Sequence, residues 1–335
     1  MKRIASLSLD LDNQWSYMKT HGDAGWDSYP TYLDVVVPRA LELFEKHGLS
    51  ITFFIVGRDA SMDINHKAIR SIADAGHEIG NHSFDHEPWL HLYSKQQLDE
   101  EFDKTERALF DATGARPTGF RGPGYSLSPT VLEVLAERGY DYDCSTLPTY
   151  IGPLARAYYF MRSPAMSDEE KAKRKKLFGT FADGRQSLKP HFVKAGERDL
   201  VEIPVTTFPG VKTPIHASYV IYLASFSETA AMAYWRTALT ACRVSGVEPS
   251  ILLHPLDFLA GTDIEELKFF PGMSMTLEKK LSLMDKIVGT LNDSYKVVDM
   301  REHAAAFRSI NERTVDDPDK SPKIPSVSMP TVAKP

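Results

Sequence analysis

Ile51-Thr52-Phe53-Phe54-Ile55-Val56 is followed by a helical pattern over residues 66–75 and then by Gly76-His77-Glu78-Ile79-Gly80-Asn81-His82-Ser83-Phe84-Asp85-His86. The first run is β-branched and aromatic, the pattern of a strand buried on both faces. Gly76 stops the helix. Residues 77–80 then form a short strand that delivers His82. Strand, helix and strand in that order belong to a parallel sheet.

Outward from this unit the alternation continues. Strands are expected at residues 3–9, 118–121, 140–144, 200–204, 250–254 and 295–298. Helices are expected at 34–47, 94–113, 128–138, 227–245 and 275–292, with a terminal helix after them. Such a βα series builds an open parallel sheet or a closed barrel. The residues with chemical potential fall at the C-terminal ends of strands, where barrel enzymes place their sites.

His82 and His86 are four residues apart, a spacing that lets two imidazoles meet one metal ion. Ser6-Leu7-Ser8-Leu9-Asp10-Leu11-Asp12 is an apolar strand pattern ending in two carboxylates. A catalytic zinc site keeps three protein ligands and one open position. Asp12, His82 and His86 can supply the three. Asp10 is then the spare carboxylate, able to take a proton from the attacking water. The competing reading of Asp10 and Asp12 is a polar strand end leading into a turn.

With these motifs the chain resembles the polysaccharide deacetylase family, also called NodB-homology or carbohydrate esterase family 4. The matching segments, in order, are Ser8-Leu9-Asp10-Leu11-Asp12, His82-Ser83-Phe84-Asp85-His86, Phe120-Arg121-Gly122-Pro123-Gly124-Tyr125, Tyr142-Asp143-Cys144-Ser145 and Ile251-Leu252-Leu253-His254-Pro255. The resemblance covers roughly residues 1–305. Many members have adjacent aspartates followed by glycine. Here Leu11 separates the pair and Asn13-Gln14-Trp15 follow. That form resembles a branch holding peptidoglycan deacetylases, lipid-linked aminoarabinose deformylases and allantoinase-like hydrolases. Ile251 stands where leucine is usual.

The resemblance implies a distorted (β/α) barrel of seven strands and one divalent metal ion, zinc by default, with cobalt or nickel suited to the same ligands. It implies that Arg121 pairs with Asp10 and keeps it ionised. It implies that a backbone N–H of Gly124 or Tyr125 meets the developing oxyanion. It implies that His254 protonates the leaving amine. Asp143 and Asp257 are both candidates for orienting His254, Asp143 the first choice. Trp15, Trp26 and Trp89 lie in loops after site-bearing strands and are either sugar platforms or loop packing. His77 and Glu78 are read as structural.

The chain has 335 residues, enough for a core of barrel size. Its 42% hydrophobic and 25% charged residues are those of an ordinary globular protein. A net charge of −6 gives no general reason to expect nucleic acid as a partner. Two cysteines, Cys144 and Cys242, do not make a disulfide framework. The start, Met1-Lys2-Arg3-Ile4, runs straight into a strand without the apolar core of a signal peptide, so a cytoplasmic location is the expectation. The apolar patch at 219–226 is too short to span a bilayer.

Two regions interrupt the pattern. Residues 146–199 read as an insertion with an aromatic cluster and then a capping-box helix carrying Lys171, Lys173, Arg174, Lys175 and Lys176. That run is either a solvated face or a patch for anionic headgroups, giving peripheral membrane contact. Residues 312–335 read as a disordered proline-rich tail after a catalytic barrel of residues 1–311. Homo-oligomers are compatible with the sequence.

The expected function is metal-dependent hydrolysis of an N-acyl group, acetyl or formyl, from an amino sugar, a polysaccharide or a lipid-linked sugar. The alternatives are an allantoinase-like cyclic-amide hydrolase and a non-catalytic glycan-binding protein on the same barrel.

Overall fold

β1 (Ile4–Leu11) is buried almost end to end, because it lies in the middle of a sheet with helices around it. It pairs in parallel with β2 (Thr52–Ile55) on one side and β8 (Ser250–Leu253) on the other, and with the short β9 (Lys296–Val298) near its start. This is a computed structural model that describes residues 2–152 and 182–315. β3 (Glu78–Asn81), β4 (Gly119–Phe120), β5 (Tyr142–Asp143) and β7 (Arg198–Glu202) continue the parallel series. β6 (His191–Ala195) runs antiparallel to β7. The order is β6-β7-β5-β4-β3-β2-β1-β8, with β9 beside β1.

The sheet curls, and the chain just beyond β7 meets β8. Thr206 N donates to Ser250 O at 2.9 Å, and Ser250 N donates to Thr206 Oγ1 at 2.8 Å. Leaving out the antiparallel β6 and the short β9, seven parallel strands go round this distorted barrel, as expected.

The helices are α1 (Gln14–His21), α2 (Leu33–Lys46), α3 (Gly57–Ala60), α4 (Asp63–Asp74), α5 (Lys95–Thr113), α6 (Pro129–Glu137), α7 (Ala217–Ala224), α8 (Glu228–Ser245), α9 (Leu277–Ser294) and α10 (Met300–Val315). Their apolar faces pack on the sheet. Val36, Val37, Ala40 and Phe44 of α2 and Trp235, Ala238 and Leu239 of α8 join Leu7, Leu9, Phe53 and Leu253 in one core cluster. Each such large side chain contributes roughly 1.5–3 kcal/mol by leaving water. Capping sets several helix starts: Ser94, Ser128, Ser227 and Thr276 each accept a backbone N–H of the first turn.

Register is what places the site. One line of paired residues runs Leu11–Ile55–Asn81–Phe120–Asp143–Glu202 across six strands. The residues that follow it, among them Asp12, His82 and Arg121, therefore emerge at one level. Leu9 pairs with Leu253, which puts His254 level with Asp10.

The sequence reading missed α1, α3, α7 and β6. α1 has almost no amphipathic stripe, and it starts because Asn13 caps it, accepting from Gln14 N. α7 lies in the apolar patch at 219–226. β6 and β7 form a hairpin turned at Gly196, whose φ of +63° suits glycine. The insertion expected at 146–199 therefore contains a strand and the 3-10 turn Asp183–Arg185. Its aromatic cluster and the basic run at 171–176 lie outside the described residues. α10 continues to Val315, past the expected start of the tail, and residues 316–335 also lie outside. Among the described residues, no helix is long and apolar enough to cross a membrane.

Candidate metal and hydrolase site

Asp10 and Asp12 leave the end of β1 with one residue between them, so they share a face of the strand. Both are nearly buried. The chain after Asp12 is anchored by polar bonds. Tyr32 Oη donates to Asp12 O at 2.7 Å. Asn13 Nδ2 and Trp15 Nε1 both donate to Asp59 Oδ1, at 2.7 and 2.8 Å. Burial pushes the Asp59 carboxyl up to about 7, against those two bonds.

His82 follows β3 directly. Its Nδ1 lies 2.6 Å from Arg121 O, which fixes a proton on that nitrogen and leaves Nε2 free to face Asp12. His86 is brought round by a tight loop in which Ser83 and His86 have positive φ. Glu101 of α5 holds this loop: its Oε1 accepts from Phe84 N at 2.9 Å and Asp85 N at 2.8 Å. Gly57 N donates to Ser83 O, and Arg58 pairs with Asp85.

The three expected ligands converge. The ligand atoms of Asp12, His82 and His86 all lie within 4.8 Å of one another. Asp12 Oδ1 is 2.9 Å from His86 Nε2 and 3.3 Å from His82 Nε2. Neither approach has hydrogen-bond alignment, and among the described residues no donor meets the buried Oδ1. Tetrahedral bonds of about 2.1 Å would space such atoms about 3.4 Å apart. Burial alone would raise the Asp12 pKa, but His86 and His82 outweigh it and hold the carboxyl well below its usual range. Burial would lower His82, but Asp10 and Asp12 raise it. The cluster thus favours positive charge at the point where these atoms meet, and the donor set fits a divalent ion.

Arg121 is fully buried beyond Asp10. Its Nη1 donates to Asp10 Oδ1 at 2.6 Å and to Ser8 Oγ at 2.9 Å, and its Nε donates to Cys144 O at 3.0 Å. The guanidinium lies 4.5 Å from the Phe54 ring centroid. Burial opposes its charge, but Asp10 outweighs that and raises its pKa. Asp10 Oδ2 is 4.0 Å from His82 Nε2, so the carboxylate borders the ligand cluster with one oxygen still directed there.

Pro123–Tyr125 form a 3-10 turn after Arg121. Tyr125 N donates to Gly122 O at 2.9 Å, so that N–H is engaged inside the turn. Gly124, with φ +58°, is exposed at its tip. The turn is tied below to Asp143: Gly122 N donates to Ser145 Oγ at 2.7 Å, and Ser145 Oγ donates to Asp143 Oδ1 at 2.7 Å.

That bond corrects the first choice of partner for His254. Asp143 supports the Gly122 turn, and Asp257 is the carboxylate beside His254. Asp257 Oδ2 accepts from His254 N at 2.8 Å. Its Oδ1 accepts from Ser218 Oγ at 2.7 Å, and that hydroxyl lies 3.2 Å from His254 Nδ1. Proximity in sequence wins because Pro255–Phe258 turns Asp257 back onto the start of its own turn. Buried Lys280 of α9 pins this turn through Leu256 O and Leu259 O.

Trp15 is also corrected. It is fully buried with its indole N–H on Asp59, so it offers no face to a ligand. Trp26 and Trp89 are half-buried. Tyr17 was missed; burial first, then Asp12, Tyr32, Asp257 and Asp10 raise its pKa. Asp59, Glu101 and Ser218 were missed as well. His77 and Glu78 serve the opposite end of β3: His77 Nδ1 accepts from Ile51 N, and Glu78 accepts from Thr52, Tyr142 and Arg301 N.

A family profile described as polysaccharide deacetylase matches residues 23–142. A peptidoglycan deacetylase of Helicobacter pylori is 30% identical over 175 residues, 52% of this chain and 54% of that protein. A peptidoglycan-N-acetylmuramic acid deacetylase of Bacillus subtilis is 31% identical over 110 residues, 32% of this chain and 41% of that one. The chain thus spans about half or less of the length of these relatives. A solved structure from Mycobacterium smegmatis assigned to the polysaccharide deacetylases superposes with a TM-score of 0.59 at 21% identity, covering 98% of this chain and 95% of the other. That likeness extends the shared fold beyond the profile's span to the strands that carry Asp10, Asp12 and His254. Residues 23–142 thus match the polysaccharide deacetylase profile, and in motif order and fold the rest of the chain is similar to that family.

Proposed function

We propose that this protein is a metal-dependent amide hydrolase that removes an N-acetyl group from an amino sugar within a glycan. The observation that carries this reading is the meeting of Asp12, His82 and His86 beside Asp10, whose other oxygen is held by Arg121. Binding a sugar would not require a buried carboxylate–guanidinium pair next to a three-ligand cluster. The names of the relatives, which include peptidoglycan deacetylases, favour an N-acetylated glycan over a cyclic amide.

Asp12, His82 and His86 would hold the ion, zinc by default. When bound, it supplies Lewis acidity toward the acyl carbonyl. The chain's own groups do the rest. Asp10 takes the proton of the attacking water through the carboxylate oxygen that Arg121 leaves free. Arg121 holds Asp10 in one rotamer through its Nη1 bond to Oδ1. With Tyr125 N–H engaged by Gly122, Gly124 N–H is the backbone donor left to meet the oxyanion. His254 gives a proton to the departing amine. Trp26 and Trp89 are half-buried and are the aromatic side chains we assign to sugar contact.

The test is release of acetate by the metal-loaded protein from N-acetylglucosamine oligomers and peptidoglycan fragments, with N-formyl sugars and allantoin in parallel. Acetate from a glycan that is lost in Asp10→Asn supports the reading. Turnover of allantoin alone would replace it with the cyclic-amide reading. Glycan binding with no turnover of any amide would replace it with a binding role.

A further inference from the structure

We infer that Ser218 is a positioning residue that carries the charge of Asp257 to His254 and fixes the tautomer in which His254 acts. The inference rests on the amide-hydrolase reading for its kinetic consequence and on local geometry for the tautomer itself.

The hydrogen inventory decides the polarity. Ser218 has one hydroxyl proton and two acceptor lone pairs. Asp257 is almost wholly buried, and both its oxygens are used by its neighbours: Oδ2 accepts His254 N at 2.8 Å, and Oδ1 faces Ser218 Oγ at 2.7 Å. A carboxylate can only accept, so the Ser218 proton points to Asp257. The oxygen of Ser218 then presents a lone pair to His254 Nδ1, 3.2 Å away. That contact is a hydrogen bond only if Nδ1 carries the proton. The neutral ring is thereby held as the Nδ1–H tautomer, with the Nε2 lone pair outward.

The chain Nδ1–H to Oγ–H to carboxylate has one direction. With Nδ1 engaged by Ser218, Nε2 is the nitrogen that takes a proton from solvent and gives it up. As the C–N bond breaks, its electron pair goes to nitrogen. The Nε2 proton passes to that nitrogen, and His254 returns to the same neutral tautomer. No proton needs to move along Ser218.

The elements around His254 agree with this division. His216, at the start of α7, has its ring centroid 6.0 Å from that of His254. Burial, with His254 adding to it, pushes its pKa down to about 3, so it stays neutral and does not compete for the proton. Burial raises the Asp257 pKa; His254, the bonds from His254 N and Ser218 and, last, Lys280 under the turn favour its ionised form. Burial and then Asp12, Tyr32, Asp257 and Asp10 raise the pKa of Tyr17 in α1, so it stays a neutral phenol. Ser218 is the hydroxyl that joins helix α7 to the turn bearing His254 and Asp257.

The experiment uses the full chain labelled with ¹⁵N-histidine, with His254→Gln to assign the resonance. In the wild type the neutral His254 ring should show the Nδ1–H pattern. Ser218→Ala should shift it toward Nε2–H, and Ser218→Thr, which keeps the hydroxyl, should restore it. On an N-acetylated glycan, Ser218→Ala should lower kcat about 10- to 100-fold, the range for partners that orient an imidazole, with KM unchanged. A Ser218→Ala protein that keeps both the Nδ1–H tautomer and the wild-type kcat would overturn the inference. If no substrate is turned over by the wild type, the amide-hydrolase reading fails by itself. The tautomer measurement still decides the role of Ser218, and an unchanged pattern in Ser218→Ala then counts against it.

Discussion

Arg121 Nη1 sits 2.6 Å from Asp10 Oδ1 with the guanidinium wholly removed from solvent, so the proposed base is held by a charge that has no other counter-ion among the described residues. Both groups lost hydration to be there, and each now depends on the other. Removing one partner of such a pair leaves a buried charge and costs about 3–5 kcal/mol. Arg121→Met should therefore lower unfolding stability by that amount in a urea titration and abolish turnover. Asp10→Asn keeps an oxygen for Arg121 and should cost less stability, yet lower kcat by about 10²–10⁴, the usual worth of a general base. Near-normal turnover in Asp10→Asn would remove it as the base.

The three converging ligands predict one divalent ion per chain. Elemental analysis should find it in the wild type and not in His82→Ala, His86→Ala or Asp12→Asn. An ion that binds only the folded chain at about 100 times its Kd adds about 2.7 kcal/mol. Added zinc should thus raise the Tm of the chelator-treated wild type and leave the three variants unmoved. Equal shifts in all four proteins would place the ion elsewhere.

How much of this could be read from the sequence follows from how local each feature is. Asp10, Asp12, His82 and His86 were legible because strand ends and short spacings announce them, and a parallel register then brings strand ends together. Arg121 was legible by its place among ordered motifs. The partner of His254 was misjudged because Asp143 and Asp257 differ only in three dimensions, where Pro255–Phe258 folds Asp257 back. Trp15 gave no sign of burial, since its indole is fixed by Asp59, 44 residues away. α1 was missed because its start rests on the Asn13 cap and its packing on tertiary contacts, neither of which makes a periodic pattern. Glu101 and Ser218 sit in helices as ordinary polar residues, and only the loops they touch give them roles.

Asp59 predicts a pH dependence of stability. Burial pushes its carboxyl up to about 7 in the folded protein, against an ordinary value near 3.8. The folded state therefore holds this proton more tightly than the unfolded chain. Its contribution is fully present below pH 4 and is lost as pH rises through 7. Oδ1 carries the bonds to Asn13 and Trp15, while Oδ2 has no partner among the described residues, so Asp59→Asn keeps the bonds and removes the titration. Compared with the wild type by urea unfolding from pH 4 to 8, the variant should gain relative stability as pH rises, by up to about 4 kcal/mol. A difference that does not change with pH would show that Asp59 is ionised throughout.

Glu101 touches none of the three ligands, yet it should control metal affinity through His86. The loop from Ser83 to His86 contains two non-glycine residues in the left-handed region, a conformation that costs about 1–3 kcal/mol per residue unless its surroundings impose it. Glu101 imposes it by accepting two consecutive N–H groups on one oxygen, from Phe84 and Asp85. Without that acceptor both donors are left unpaired and partly buried, at about 1–3 kcal/mol each, and the loop can relax toward ordinary φ values. His82 would stay, since it follows β3 directly and is fixed by Arg121 O. His86 would lose its aim. Glu101→Ala should therefore weaken zinc binding about 10- to 100-fold, as loss of outer supports does elsewhere. Glu101→Gln retains the oxygen and should bind nearly as the wild type. Zinc titration with a competing chelator measures both. If Glu101→Ala lost stability but bound zinc with unchanged affinity, the loop would hold His86 by its own packing, through Gly57 and the Arg58–Asp85 pair, and the carboxylate would serve stability alone.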